Sequence, residues 1–170
     1  MKKLKLIFIL IVLFSVSSCV TKRKHGSWQE YPAVPFFCRY QVADVSVIID
    51  HVREENIAKQ LFIIAETHLE ANQNYARQSD KTLLLDITVE QRSFMQNVEL
   101  YNSIYVSCIA RDEDGNMYAK ENEYISGKQT FVASAEQNII ISRILNRLIN
   151  QQKKRNRDIL KYEKQTAKAK

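Results

Sequence analysis

Few residues in this chain could do acid–base, nucleophilic or metal chemistry. The histidines are His25, His51 and His68, and no two stand at the i, i+4 spacing that puts both imidazoles on one helix face. Glu66 and Glu70 do have that spacing, and two carboxylates can divide acid and base roles when a cleft pushes their pKa values apart. Nothing in the pattern builds such a cleft, and a solvated helix face is the expectation. Asp86 and Glu90 share the wet side of a strand. His68 lies at the edge of an apolar helical stripe and reads as a packed surface residue. His51 sits at a strand-to-helix turn, where it could cap. The only glycines are Gly26, Gly115 and Gly127, so neither a glycine-rich phosphate loop nor a G-x-S-x-G elbow is present. No Cys-x-x-Cys occurs. The residues specify no active site, and the expectation is a non-enzyme with no catalytic residues, no metal and no cofactor.

The thiol with the most specific context is Cys19. Before it come three lysines within Met1–Lys5, the 11-residue apolar run Leu6–Val16, and Ser17-Ser18. A charged start, a short apolar middle and small residues before a cut are the marks of a secretory leader. A spanning helix needs ~20 apolar residues, so the run is too short to be one. Val16-Ser17-Ser18-Cys19 resembles the lipobox of bacterial lipoprotein precursors. That resemblance implies cleavage before Cys19 and a diacylglyceryl cysteine, labelled by palmitate, as the new N-terminus. Two acyl chains, at ~0.8 kcal/mol per buried methylene, hold a protein stably at a membrane. Val20 follows, where an Asp would be the inner-membrane retention signal of enterobacteria. The expected location is the bacterial cell envelope, on the periplasmic face of the outer membrane.

Without residues 1–18 the chain has 152 residues, enough for one domain with a proper core. The charge of +6 belongs to the ends. Taking the three leader lysines from 25 basic residues leaves 22 against 19 acidic, or +3. Gln151–Lys170 alone holds eight basic and two acidic residues, so the basicity is a tail. The expected division is a signal peptide over 1–18, a lipidated tether and extended lead-in over 19–41, one α+β domain over 42–152 and a basic tail over 153–170. Thr21-Lys22-Arg23-Lys24 reads as a solvated leash that could touch anionic head groups. Tyr31–Phe37, with two prolines, reads as extended.

Val42–Asp50 alternates as a first strand with Ala43, Val45, Val47 and Ile49 on one face. A helix from about Arg53 to Tyr75 carries one ridge of Ile57, Leu61 and Ile64 and another of Ala58, Phe62, Ala65 and Leu69. Thr82–Gln91 is the clearest strand, with Leu83, Leu85, Ile87 and Val89 inward. Arg92–Glu99 reads as a polar loop around Phe94 and Met95. Leu100–Arg111 follows with Ile104, Val106, Cys108 and Ala110 inward, then a turn over Asp112–Asn116 whose Asp-Gly suits positive φ. Met117–Ile125 is poorly patterned, and Lys120, Glu121 and Glu123 suggest a charged edge strand. Ser134-Ala135-Glu136-Gln137 is a capping box opening a second helix to about Gln152, lined by Ile140, Ile141, Ile144, Leu145, Leu148 and Ile149. The basic remainder could prolong it. The expected fold is α+β: two helices on one face of a small, mostly antiparallel sheet in the order β-α-β-β-β-α, a two-layer sandwich.

The lipobox, the run Leu83-Leu84-Leu85-Asp86-Ile87-Thr88-Val89, the hairpin over Asp112–Asn116 and the strand through Tyr124 and Phe131 into the last helix resemble one group of proteins. They resemble the outer-membrane lipoproteins of the LPS-assembly type and the auxiliary lipoproteins of ABC transporters, over about Val42 to Ile149. The resemblance implies an αβ sandwich, no catalysis, and binding to a membrane partner or a lipid-like cargo.

Two features of the residues themselves could serve binding. Leu84, Tyr101, Tyr105 and Ile109 fall on the outward sheet face, where aromatics are common at protein contacts but also simply pack well in strands. Lys153-Lys154-Arg155-Asn156-Arg157 could meet anionic lipid, though a solvated tail is the plainer reading, and nucleic acid is not expected for an exported chain. Cys38 and Cys108 could form a disulfide in an oxidising compartment, and a buried free Cys108 is an equal alternative. The expected function is a lipid-anchored, non-catalytic accessory or assembly subunit of a larger envelope transport or assembly complex. A lipoprotein binding a lipid-like or small ligand is the alternative, and an envelope hydrolase the remote third.

Overall fold

A computed structural model describes residues 22–25, 38–73, 79, 81–132 and 134–168. The leader, Cys19 and Tyr31–Phe37 lie outside the described residues. The strands are β1 (Lys22–His25), β2 (Arg39–Ile49), β3 (Val52–Arg53), β4 (Thr82–Gln96), β5 (Glu99–Arg111) and β6 (Met117–Gly127); the helices are α1 (Glu55–Asn72) and α2 (Ser134–Lys168). One sheet holds all six strands in the order β1-β6-β5-β4-β2-β3. Among the described strands only β2 and β4 pair in parallel, joined by the α1 crossover. Both helices pack on one face, so the α+β two-layer sandwich stands. The expected β-α-β-β-β-α succession is its body, with short strands β1 and β3 added at the two edges.

The core follows from period-two alternation. Leu83, Leu85, Ile87 and Val89 of β4 and Ile104, Val106, Cys108 and Ala110 of β5 are buried. From α2 come all six apolar residues at helical spacing, Ile140 through Ile149. From α1 come Ala58, Leu61, Ala65 and Leu69, whereas Phe62, expected on that stripe, is 39% exposed. The helix starts at Glu55 rather than Arg53 because Val52 and Arg53 turn back on β2. It stops at Asn72, short of Tyr75, with Gln73 as its C-cap.

Four expectations are corrected. First, β2 carries a bulge between Val42 and Asp44, so Tyr40 and Val42 face inward before it and Val45 and Val47 after it. Ala43, expected inward, is exposed. Second, Arg92–Glu99 is no loop: β4 and β5 run on as a hairpin to a two-residue turn at Asn97-Val98, with φ of 50° and 64°. Third, among the described residues β6 is an edge strand only over its first half, because β1 pairs with Glu123–Ser126, and Glu121 and Glu123 point into the protein rather than into water. The same pairing makes a strand of the basic stretch read as a leash. Fourth, the Gln137 side-chain amide donates to the carbonyls of Phe131 (2.9 Å) and Val132 (3.3 Å), and its buried Oε1 has no partner. It thus ties the preceding loop to α2 instead of answering Ser134 as a capping box would. The helix α2 runs unbroken through the basic segment to Lys168.

Candidate functional site

The helices cover one face of the sheet and leave the other open. Strand register places the outward residues in lateral rows. Ile48, Glu90, Tyr105 and Tyr124 form one; Ser46, Thr88, Ser107 and Asn122 the next; Asp44, Asp86, Ile109 and Lys120 the third. The four residues expected as a binding face all lie here, but in separate islands. Tyr101 stands opposite Phe94 on the hairpin, Tyr105 opposite Glu90 at the centre, and Ile109 opposite Asp86. Leu84 is diagonal to Ile109, with the Asp86–Arg111 ion pair filling the other two corners of that square (Nε–Oδ2 2.5 Å, Nη2–Oδ1 3.1 Å). This fork-to-fork pair raises the Arg111 pKa further.

The tyrosine hydroxyls on this face are tied within the fold. Tyr105 donates to Asn122 Oδ1 at 3.0 Å, Tyr101 to Glu99 at 3.1 Å, and Tyr124 accepts from Ser103 at 3.1 Å. The hydroxyls are occupied while Tyr105 as a whole remains 38% exposed. Rings held by their tips on a rigid sheet present apolar area at low entropic cost, as interface aromatics do.

Beneath β6 lies a charge cluster that sequence reading missed. Glu121 and Glu123, two apart on a strand, point into the protein and are 6% and 1% exposed. Arg143, Arg147 and Gln151 sit four apart on α2, so one helix face meets them. Arg147 spans both carboxylates, Nε to Glu121 at 2.9 Å and Nη2 to Glu123 at 3.1 Å. Arg143 also binds Glu123, and Gln151 donates to Glu121. A buried carboxylate is tolerable only when paired and hydrogen-bonded, and each of these has two partners. The detectable signal was Glu-x-Glu in one element and Arg-x-x-x-Arg-x-x-x-Gln in another.

The remaining candidates take structural places. Glu66 accepts from the Val42 N–H at 2.5 Å, and with Glu70, Arg39 and Gln73 it lines a polar cleft of about 300 Å³ between α1 and the start of β2. His68 Nε2 is 3.0 Å from Asn146 Oδ1, a link between the helices. His51, exposed, forms the β2–β3 turn with Asp50 at φ of 71° and 47°, and does not cap α1. Asp50 accepts from both the Ser93 hydroxyl and the Ser93 N–H, which hold its pKa down. Cys38 and Cys108 are buried free thiols, not a bridge. Burial pushes Cys38 up to about 12 against a hydrogen bond with Tyr40, and burial with the neighbouring charges of Glu121 and Asp86 raises Cys108 further. Among the described residues no group of three His, Cys, Asp or Glu could hold a metal, and no helix is long and apolar enough to cross a membrane.

The hairpin end of β4 and β5 carries four exposed apolar side chains. Phe94, Met95, Val98 and Leu100 are 41%, 64%, 92% and 56% exposed. Phe94 stacks on Tyr101 at 6.1 Å, and Lys128 Nζ lies 5.8 Å from the Tyr101 ring and 2.7 Å from Glu99.

No protein family matches the chain, and no curated protein does. Solved structures similar to it include the PelC dodecamer from Paraburkholderia phytofirmans and a single-substitution variant of it. Each is 16% identical with a TM-score of 0.45, covering 74% of this chain and 96% of the other. A likeness that distant carries no argument about what this chain binds.

Proposed function

We propose that this chain is a membrane-anchored envelope lipoprotein, held by acyl groups at Cys19, that acts without catalysis as an accessory or assembly subunit of a larger envelope complex. Its partner is a protein docked on the outward sheet face. Its place is the periplasmic face of the outer membrane, and nucleic acid has no part in it. The observation that supports the reading is the one-sided sandwich: helices seal one face of the sheet, while the other displays Tyr105 and its neighbours on paired strands. The leader and the Val16–Cys19 box support the anchor.

Photo-crosslinking in cells tests the docking face. A photoreactive phenylalanine at Tyr105 is expected to give one dominant adduct with an envelope protein, while the same group at Asn150, exposed on α2, gives none. Equal adducts at both positions, or adducts at Asn150 alone, would reject the sheet face as the docking surface. The alternative of a lipid-like cargo draws its support from an open groove of about 460 Å³ beside Ala58, Phe62 and Ile63, whereas the cleft by Glu66 and Arg39 is lined mainly by polar and charged side chains.

A further inference from the structure

The β4–β5 hairpin outgrows its sheet. On one side β2 ends where Ile49 meets Gln91, and on the other β6 ends where Gly127 meets Asn102. Beyond these rows the pairs Phe94↔Tyr101, Met95↔Leu100 and Gln96↔Glu99 form a two-stranded ribbon closed by Asn97-Val98. A ribbon standing in water has no reason to be apolar on either face. This one is apolar on both: Phe94 and Tyr101 on one, Met95 and Leu100 on the other, with Val98 at the tip 92% exposed. Val132, 56% exposed, belongs to the same end, because the neighbouring Phe131 N–H is held by Gln91 Oε1 at 2.6 Å.

Strand polarity says where the anchor lies relative to this tip. Because β1 is antiparallel to β6 and Lys22 pairs with Ser126, the N-terminal end of β1 lies at the hairpin end of the sheet. Cys19 is three residues back, within ~11 Å of Lys22. Lys22, Ser126, Ser103 and Arg92 share one row, and Gln96 lies four residues beyond Arg92, ~14 Å further along. The two reaches agree within a few ångströms. The charges described at this end are largely paired, Lys128 with Glu99 and Arg53 with Glu55, while Asp50 accepts from Ser93. An apolar tip above such a rim suits a polar interfacial layer over an apolar interior.

We propose that the tip Phe94, Met95, Val98 and Leu100 enters the lipid monolayer that holds the acyl chains of Cys19. The domain is then fixed to the membrane at two points and stands with its strands directed toward it. This rests on acylation at Cys19, which the test reads separately. The second contact is intramolecular once the lipid is inserted, so even a weak tip affinity suffices to hold the orientation.

The test uses the full-length acylated protein in vesicles of phosphatidylethanolamine and phosphatidylglycerol. Val98→Cys and, at the opposite end of the sheet, Glu113→Cys each receive one environment-sensitive fluorophore. Cys38 and Cys108 are buried, and the Cys19 thiol is consumed by its lipid. Circular dichroism confirms that each variant is folded. The label at Val98 is expected to shift to the blue and to be quenched by spin-labelled lipid severalfold more than the label at Glu113. Equal quenching at the two sites in protein whose mass shows acylation overturns the tip contact alone. A label at Val98 shielded from aqueous iodide but untouched by spin-labelled lipid assigns the tip to a second copy of the chain and also overturns it. Protein recovered without acyl mass overturns the anchor and this inference together.

Discussion

Gln73 holds Tyr40 as a neighbouring strand would. Its side-chain amide accepts from the Tyr40 N–H at 2.5 Å and donates to the Tyr40 carbonyl at 2.9 Å. β2 would otherwise show bare backbone at this edge of the sheet, a template for pairing with another chain. Glu66 does the same for the Val42 N–H one step on. Leucine in place of Gln73 keeps the volume and strips both groups of their partner. Gln73→Leu is expected to lower unfolding free energy by about 2–4 kcal/mol, since each buried backbone group left bare costs ~1–3 kcal/mol. Urea unfolding measures it, and concentration-dependent association of the variant should accompany the loss. An unchanged midpoint would show that the edge needs no cover.

The second expectation concerns Arg147. Its removal leaves Glu121 and Glu123 short of a cation at 6% and 1% exposure. Arg147→Ala should cost about 3–5 kcal/mol, the usual penalty for orphaning a buried charge. Arg147→Lys should recover only part, because one ammonium cannot bridge two carboxylates as a guanidinium fork does. A double-mutant cycle with Glu123→Gln should return a coupling well away from zero. Additivity would mean that the two side chains do not act as a pair.

The hairpin turn stores strain. Val98 is β-branched and sits at φ of 64°, where glycine is the ordinary choice. Val98→Gly should therefore stabilise the fold by about 1 kcal/mol in thermal or urea unfolding. The same change removes the most exposed apolar side chain at the tip. A variant that gains stability and loses lipid contact would show that the native residue is kept for contact. A loss of stability would place Val98 in a different backbone state.

The buried thiols give a pH dependence. Both pKa values are raised in the fold, Cys38 to about 12, whereas an unfolded thiol titrates at ~8.5. A raised folded value contributes stability that is fully present below the unfolded pKa. It is lost as pH climbs through the alkaline range toward the folded value. Unfolding free energy should decline above about pH 8.5, and Cys108→Ala should flatten that decline at some cost in packing. Native protein should resist thiol reagents at pH 8, with labelling that follows opening in low urea. Fast labelling without denaturant would contradict the burial of both residues.

Much of this fold could be read locally. The alternation of Leu83 to Val89 and the helical spacing of Ile140 to Ile149 each fix a buried face without reference to the rest of the chain. The misreadings all involve information from elsewhere. Ala43 departs from the alternation because a bulge resets the parity of β2, and no residue type announces it. The hairpin over Arg92–Glu99 was hidden because Asn97-Val98 lacks the Asn-Gly that marks such a turn, and polar composition suggested a loop. Glu121 and Glu123 look solvated until Arg143 and Arg147, twenty or more residues later, come to lie over them. Of the candidate site, the outward placement of Leu84, Tyr101, Tyr105 and Ile109 was legible from period two. That the Asp86–Arg111 pair stands between Leu84 and Ile109 depended on register, which sequence does not reveal.

The account stands or falls on acylation of Cys19. Cells expressing the wild-type chain and Cys19→Ala are grown with radiolabelled palmitate, and the protein is recovered by immunoprecipitation after membrane fractionation. Label is expected in the wild-type band, in the outer-membrane fraction and at the cleaved size. The variant should be unlabelled, uncleaved at that site and displaced from that fraction. Wild-type protein free of label, or a Cys19→Ala variant processed and fractionated like the wild type, would contradict it.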